Sequence, residues 1–156
     1  MRQASELSVT VPVNADQATA FAAITQWAEQ GRWMIGTRVW VSRGTGLEVG
    51  DELSGFTGLG RLGFLDTMDI TEYGDELVVV QHTGAVVRGS GWMGAVVQQG
   101  QTMFVWGEAA EVPFGGLGRL GWSVGEPLLA AAVRASLRSL ARQVEAGQLP
   151  SGTHRR

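Results

Sequence analysis

Residues 58–63 read GLGRLG, and residues 116–121 read GLGRLG again. Each copy matches G-x-G-x-x-G, the pattern of a loop that cradles the phosphates of a nucleotide. The near flanks agree as well: Phe56 and Phe114 stand two residues before, and Phe64 and Trp122 follow directly. A dinucleotide fingerprint needs a strand before it, a helix after it and an acidic residue about 20 residues further on, within a parallel unit. The first copy lies between two strand-like runs, DELSGFT (51–57) and FLDTMDITEY (64–73), so no helix N-terminus faces a phosphate there. The second leads into a helix, but the strand before it ends an antiparallel run. Glu126 then comes too soon and Glu145 sits on the helix itself. Further out, FLDTMDI and WSVGEPL show no shared pattern, which argues against a duplication. The expectation is one hexapeptide in two conformations: a strand–turn–strand link at 58–63, and a turn or loose helical lead-in at 116–121. Context then overrides local sequence.

Working outward from the first copy, alternation marks a run of strands. ELSVTVPV (6–13) places Leu7, Val9, Val11 and Val13 on one face. Asn14, with Gln17 three residues on, reads as a capping-box start for a helix over 15–30 whose apolar face holds Ala18, Phe21, Ile24 (or Thr25) and Ala28. Gly31 closes it, followed by a short helical turn. Strands follow at 37–43, 51–57, 64–73, 76–83, 85–99 and 101–112, joined by short glycine-bearing turns; short turns between successive strands mean an antiparallel meander. Glu126-Pro127 then opens a long helix ending before Gly147, with Pro at its first position and Gly beyond its end. Leu129, Ala132, Val133, Ser136, Leu137, Leu140 and Val144 form its apolar face. Arg134, Arg138 and Arg142 form a second stripe, read as a solvated face or an anion- or acidic-lipid-binding face. The layout is α+β. Gly89, Gly91, Gly94 and Gly107, inside adjacent strands, are where a sheet can bend, and a bent sheet leaves a cavity under the helix.

Composition excludes several chemistries. The chain has 156 residues, 44% hydrophobic and 17% charged, with a net charge of −3. It has the length of one domain, folded over 1–147, with a disordered tail at 148–156. The acidic balance offers no electrostatic footprint for nucleic acid. All 12 basic residues are Arg, which removes a Schiff-base lysine and a phosphate-loop lysine. There is no cysteine, and the histidines are His82 and His154 alone, so no metal site is expected. The opening MRQASELSVTVPV lacks the pattern of a signal peptide and no stretch is apolar enough to insert in a membrane, so a cytoplasmic location is expected. RGSGW (88–92) is not the five-residue G-x-S-x-G elbow.

Strand alternation also yields candidate cavity residues. Phe64, Asp66, Met68 and Ile70 share a face, as do Val78, Val80 and His82; Val86, Arg88, Ser90 and Trp92; and Thr102, Phe104, Trp106 and Glu108. If these faces point inward, Asp66, His82, Arg88 and Glu108 are the polar groups of an aromatic- and methionine-rich interior, and charges inside must be paired. Three readings stay open. They form a structural charge cluster; or Arg88 and His82 grip a carbonyl, phenolate or carboxylate of a ligand; or His82 is a general acid/base oriented by Asp66 or Glu108. Trp40, Trp92 and Trp106 either line the cavity or fill the core.

The stretches 63–73, HTGAVVRGSG (82–91), TMFVWGEAAEVPFGGLGRLGW (102–122) and SLRSLARQVE (136–145) resemble the START-like, helix-grip superfamily, and most of all its actinobacterial polyketide cyclase/dehydrase and lipid transport (SRPBCC) branch. The resemblance spans nearly the whole chain. It implies a curved antiparallel sheet of about seven strands wrapped around a long C-terminal helix, with two short helices after the first strand. It implies a pocket between sheet and helix for a small hydrophobic, polyketide-, aromatic- or lipid-like molecule. Trp33, Phe64, Met68, His82, Arg88, Trp92, Phe104, Trp106, Leu129, Val133 and Leu137 are then the ligand-binding candidates, with Trp27 and Trp33 at the entrance. An enzyme of this kind is a cofactor-free cyclase or dehydratase acting through His82, Arg88, Asp66 and Glu108. The expected partner is the ligand alone, in a monomer or homodimer, with no nucleic acid. The remaining possibility is a degenerate pocket in a protein that works through partner surfaces.

Overall fold

The computed structural model describes residues 4–111 and 115–149. Alternation of apolar and polar residues makes β1 (Ala4–Pro12) a half-buried strand, with Leu7, Val9 and Val11 in the core. Helix α1 (Gln17–Ile24) is capped by Asp16, whose carboxylate accepts the Thr19 N–H, rather than by Asn14. It is shorter than the pattern predicts. It ends at Ile24, and a 3-10 turn (Trp27–Arg32) takes up the rest. Ala20, Phe21, Ala23 and Ile24 are buried, while Ala18 in the first turn and Ala28, beyond the end of this two-turn helix, are exposed. Gln17 instead ties the helix to the sheet through the carbonyls of Asp75 and Ala95, at 2.8 and 2.9 Å.

The meander follows as β2 (Thr37–Arg43), β3 (Glu52–Leu59), β4 (Leu62–Tyr73), β5 (Leu77–His82), β6 (Gly89–Gln98) and β7 (Gln101–Glu111). The seven strands form one curved antiparallel sheet in the order β1-β7-β6-β5-β4-β3-β2. The connection from β1 to β2, carrying α1 and the 3-10 turn, therefore spans the sheet from one edge to the other. Strand β6 begins at Gly89, not at residue 85; residues 85–88 form a loop.

The two hexapeptides differ as their contexts dictate. In the first, Gly58 and Gly63 pair across the β3–β4 hairpin and Gly60-Arg61 make its turn. Gly60 has φ +61°, the glycine-first pattern of a tight hairpin turn. The second lies wholly inside α2 (Gly115–Glu145). The long helix thus starts well before Glu126-Pro127, and Pro127 is internal to it. On α2, Val133, Ser136, Leu137, Leu140 and Ala141 are buried against the sheet, and Arg134, Arg138 and Arg142 are exposed. Its C-terminal end is tied down by Glu145, which accepts the Asn14 N–H at 2.9 Å, and by Gln143, which donates to the Arg32 carbonyl at 3.1 Å. Leu149 is buried, so the core extends into the segment expected to be a tail; residues 150–156 lie outside the described residues.

Candidate functional site

A cavity of about 430 Å³ lies between the concave face of the sheet and α2. Its walls are mostly apolar: Val39, Leu53, Met68 and Val80 from the sheet, Leu129 and Val133 from the helix, Trp27 and Met34 from the connection between β1 and β2. The size and lining are those of a small-molecule pocket. The β3–β4 tip, the β5–β6 loop, the end of β7 and the start of α2 all fall at one end of the sheet. Leu59, Leu62, Val86 and Leu128 are exposed around that end.

One polar cluster interrupts the apolar wall. Met68 on β4 is opposite His82 on β5, so Asp66, two residues before Met68, is on the same face and beside the imidazole. His82 Nδ1 contacts Asp66 Oδ2. On the other side, His82 Nε2 lies 2.9 Å from Glu108 Oε1, an ionic contact set off the line of the N–H. Glu108 is on β7, two strands away from His82. The strand between them presents Gly91, paired with Val80 on one side and with Glu108 on the other. A Cβ at Gly91 would lie 3.4 Å from both His82 Nε2 and Glu108 Oε2, so the missing side chain lets the two groups meet across β6. The three side chains are only 8–14% exposed. Burial pushes the His82 pKa down, but Glu108 and then Asp66 outweigh it and hold the imidazole above its ordinary 6.5. With an acidic partner on each nitrogen, it is poised to hold or pass a proton. Among the described residues, no group of three or more His, Cys, Asp or Glu side chains is arranged to hold a metal ion.

Arg88 is not in the cluster. It is exposed in the β5–β6 loop, where it lines the cavity rim, because β6 starts only at Gly89. Phe64, Met68, His82, Trp106, Leu129 and Val133 do line the cavity, as do Asp66 and Glu108. Trp33, Phe104 and Leu137 do not: each is buried in the core, off the cavity wall. Phe104 pairs with Ala95 and Val11 across the sheet. Trp27, expected at the entrance, is buried, with its indole N–H donated to the Gly46 carbonyl at 2.8 Å. Trp92 touches the cavity but its strand position is opposite that of Gly91 and Met93; its ring lies over Gly107, where a Cβ would be 2.0 Å from the indole. Starting the alternation at Val86 put it on the inner face, one residue out of phase. Trp40 is 42% exposed on β2 and does neither job. Sequence reasoning took Gly91 for a bend point and not for part of the site, and it passed over Gln30, Met34 and Ile35 after α1.

The arrangement is that of the helix-grip fold. No family model and no curated protein matches the chain. Among solved structures, a Thermus thermophilus protein is similar at 13% identity over 93% of this chain and 100% of its own, with a TM-score of 0.72. The Zhui aromatase/cyclase of a Streptomyces species is similar at 12% identity over 96% of this chain and 99% of its own, with a TM-score of 0.70. The di-domain aromatase/cyclase StfQ from the steffimycin biosynthetic pathway is similar at 8% identity over 94% of this chain and 52% of its own, with a TM-score of 0.73. Likeness at such identities carries the fold, and the fold alone does not carry an activity.

Proposed function

We propose that this protein binds a small, largely apolar molecule in the cavity between sheet and α2. The observation that carries the reading is an apolar pocket of about 430 Å³ whose wall holds one buried acid–base cluster. Apolar walls supply affinity through burial, and a few placed polar groups orient the ligand. Nile red, a neutral dye that fluoresces in apolar surroundings, tests it. The protein should take up the dye, and Ala132→Phe, which places a ring in the cavity from α2, should abolish uptake without lowering the melting temperature. Uptake unchanged in that variant overturns the reading.

A second reading is catalysis: a cofactor-free cyclisation or dehydration of a polyketide-like substrate, with His82 as general acid/base between Asp66 and Glu108. The acid–base cluster and the description of two similar structures as aromatase/cyclases favour it. Loss of turnover in His82→Gln with ligand affinity retained supports catalysis; product formation by that variant at the wild-type rate removes it.

A further inference from the structure

Two carboxylates face the two nitrogens of one imidazole, which can offset at most one of their charges. Asp66 is 7% exposed on the cavity wall, with Oδ1 turned onto Gly84, where a Cβ would lie 2.3 Å from it. Among the described residues, nothing pairs with Glu108 Oε2, which lies 3.4 Å from where a Cβ on Gly91 would stand. Two donors along the wall are engaged: the Trp27 indole N–H goes to Gly46 O, and the Ser136 hydroxyl goes to Ala132 O while accepting the Ile35 N–H. Among the described residues, Arg88 is the one guanidinium at the cavity, and it is exposed at the rim. Around His82 the wall therefore offers carboxylate oxygens in excess of cationic groups, the reverse of a site for an anion.

We propose that the cavity selects ligands whose polar end donates hydrogen bonds, a protonated amine first and a neutral hydroxyl second, and excludes carboxylate, phosphate and enolate ends. This rests on the reading that the cavity holds an apolar ligand, and it reverses the expectation that His82 grips a carboxylate. A buried negative charge without a counter-charge is costly, and a cationic head relieves that cost while an anionic head adds to it.

Three probes with the same apolar body decide it: naphthylmethylamine, naphthylmethanol and naphthoate, titrated against the whole protein at low salt and near-neutral pH. The amine is expected to bind at least about tenfold more tightly than naphthoate, with the alcohol between. Glu108→Gln, close in shape, should remove most of the amine's advantage and improve naphthoate binding; thermal melts confirm that the variant is folded, and the wild-type series stands without it. Naphthoate binding as tightly as the amine overturns the inference and leaves the cavity reading intact. Failure of all three to bind overturns the inference too. Nile red uptake in the same protein then shows the cavity reading to survive, and its absence shows that reading to fail as well.

Discussion

His82 and Glu108 meet at 2.9 Å across an intervening strand, over the bare backbone of Gly91. Neighbouring strands lie about 4.8 Å apart, so side chains two strands apart touch only where the middle strand carries no side chain between them. The contact joins β5 to β7 and completes a buried cluster whose other arm, Asp66, comes from β4. It also sets the properties from which the predictions below follow.

The imidazole of His82 titrates above 6.5, held there chiefly by Glu108 against the opposing pull of burial. A group that binds its proton more tightly in the folded state stabilises that state when protonated. Its contribution is therefore whole below pH 6.5 and is lost as pH rises through its higher folded value. Ring-nitrogen NMR should give His82 a pKa above 6.5. Melting temperature should fall across that window in the wild type, and this component should vanish in His82→Gln.

Asp66→Ala leaves His82 Nδ1 facing an apolar gap, and a stranded buried polar group costs about 1–3 kcal/mol. Chemical denaturation should show that loss with an unchanged slope. His82→Ala combined with Asp66→Ala should cost less than the two single changes added together, since the pair acts as a unit.

The repeated hexapeptide supplies a matched experiment. Gly63 and Gly121 hold the same place in the two copies. A Cβ at Gly63 would lie 2.3 Å from the Thr57 carbonyl oxygen, whereas at Gly121, inside α2, it meets nothing within 4 Å. Gly63→Ala should destabilise by about 1–3 kcal/mol through overpacking. Gly121→Ala should stabilise by up to about 1 kcal/mol through helix propensity. Equal effects in thermal melts would show that the two copies share one conformation.

Gly107→Ala forces the Trp92 ring off the backbone on which it lies. The expected cost is about 1–3 kcal/mol, with a shift in tryptophan emission as the indole moves.

Leu137 is fully buried and off the cavity wall. Leu137→Ala should lower stability by about 2–5 kcal/mol while leaving Nile red affinity within twofold or so of wild type. A large loss of affinity at unchanged stability would return Leu137 to the cavity.

Much of the architecture was legible in local sequence because period and punctuation are local. The alternation Leu7-Val9-Val11, the turn at Gly60-Arg61 and the helical stripe through Val133, Leu137 and Leu140 each name their element within a few residues. The same rules place Asp66 with Met68 and His82 with Val80, on one wall. They fail where a boundary or a phase depends on distant contacts. The start of α2 was misplaced because Pro127 reads as a first-turn residue, yet the helix runs through it. The phase of β6 was misread because nothing in GAVVRGSGW tells where pairing with β5 and β7 begins. Residue types alone determined that this protein has no lysine, no cysteine and one histidine within its strands, and so which chemistries are closed to it. Only the tertiary structure decided that Arg88 stands apart at the rim, that Glu108 meets His82 across Gly91, and that two carboxylates face one imidazole on the cavity wall. Those facts depend on register between strands far apart in the chain, and register is an outcome of packing the whole sheet.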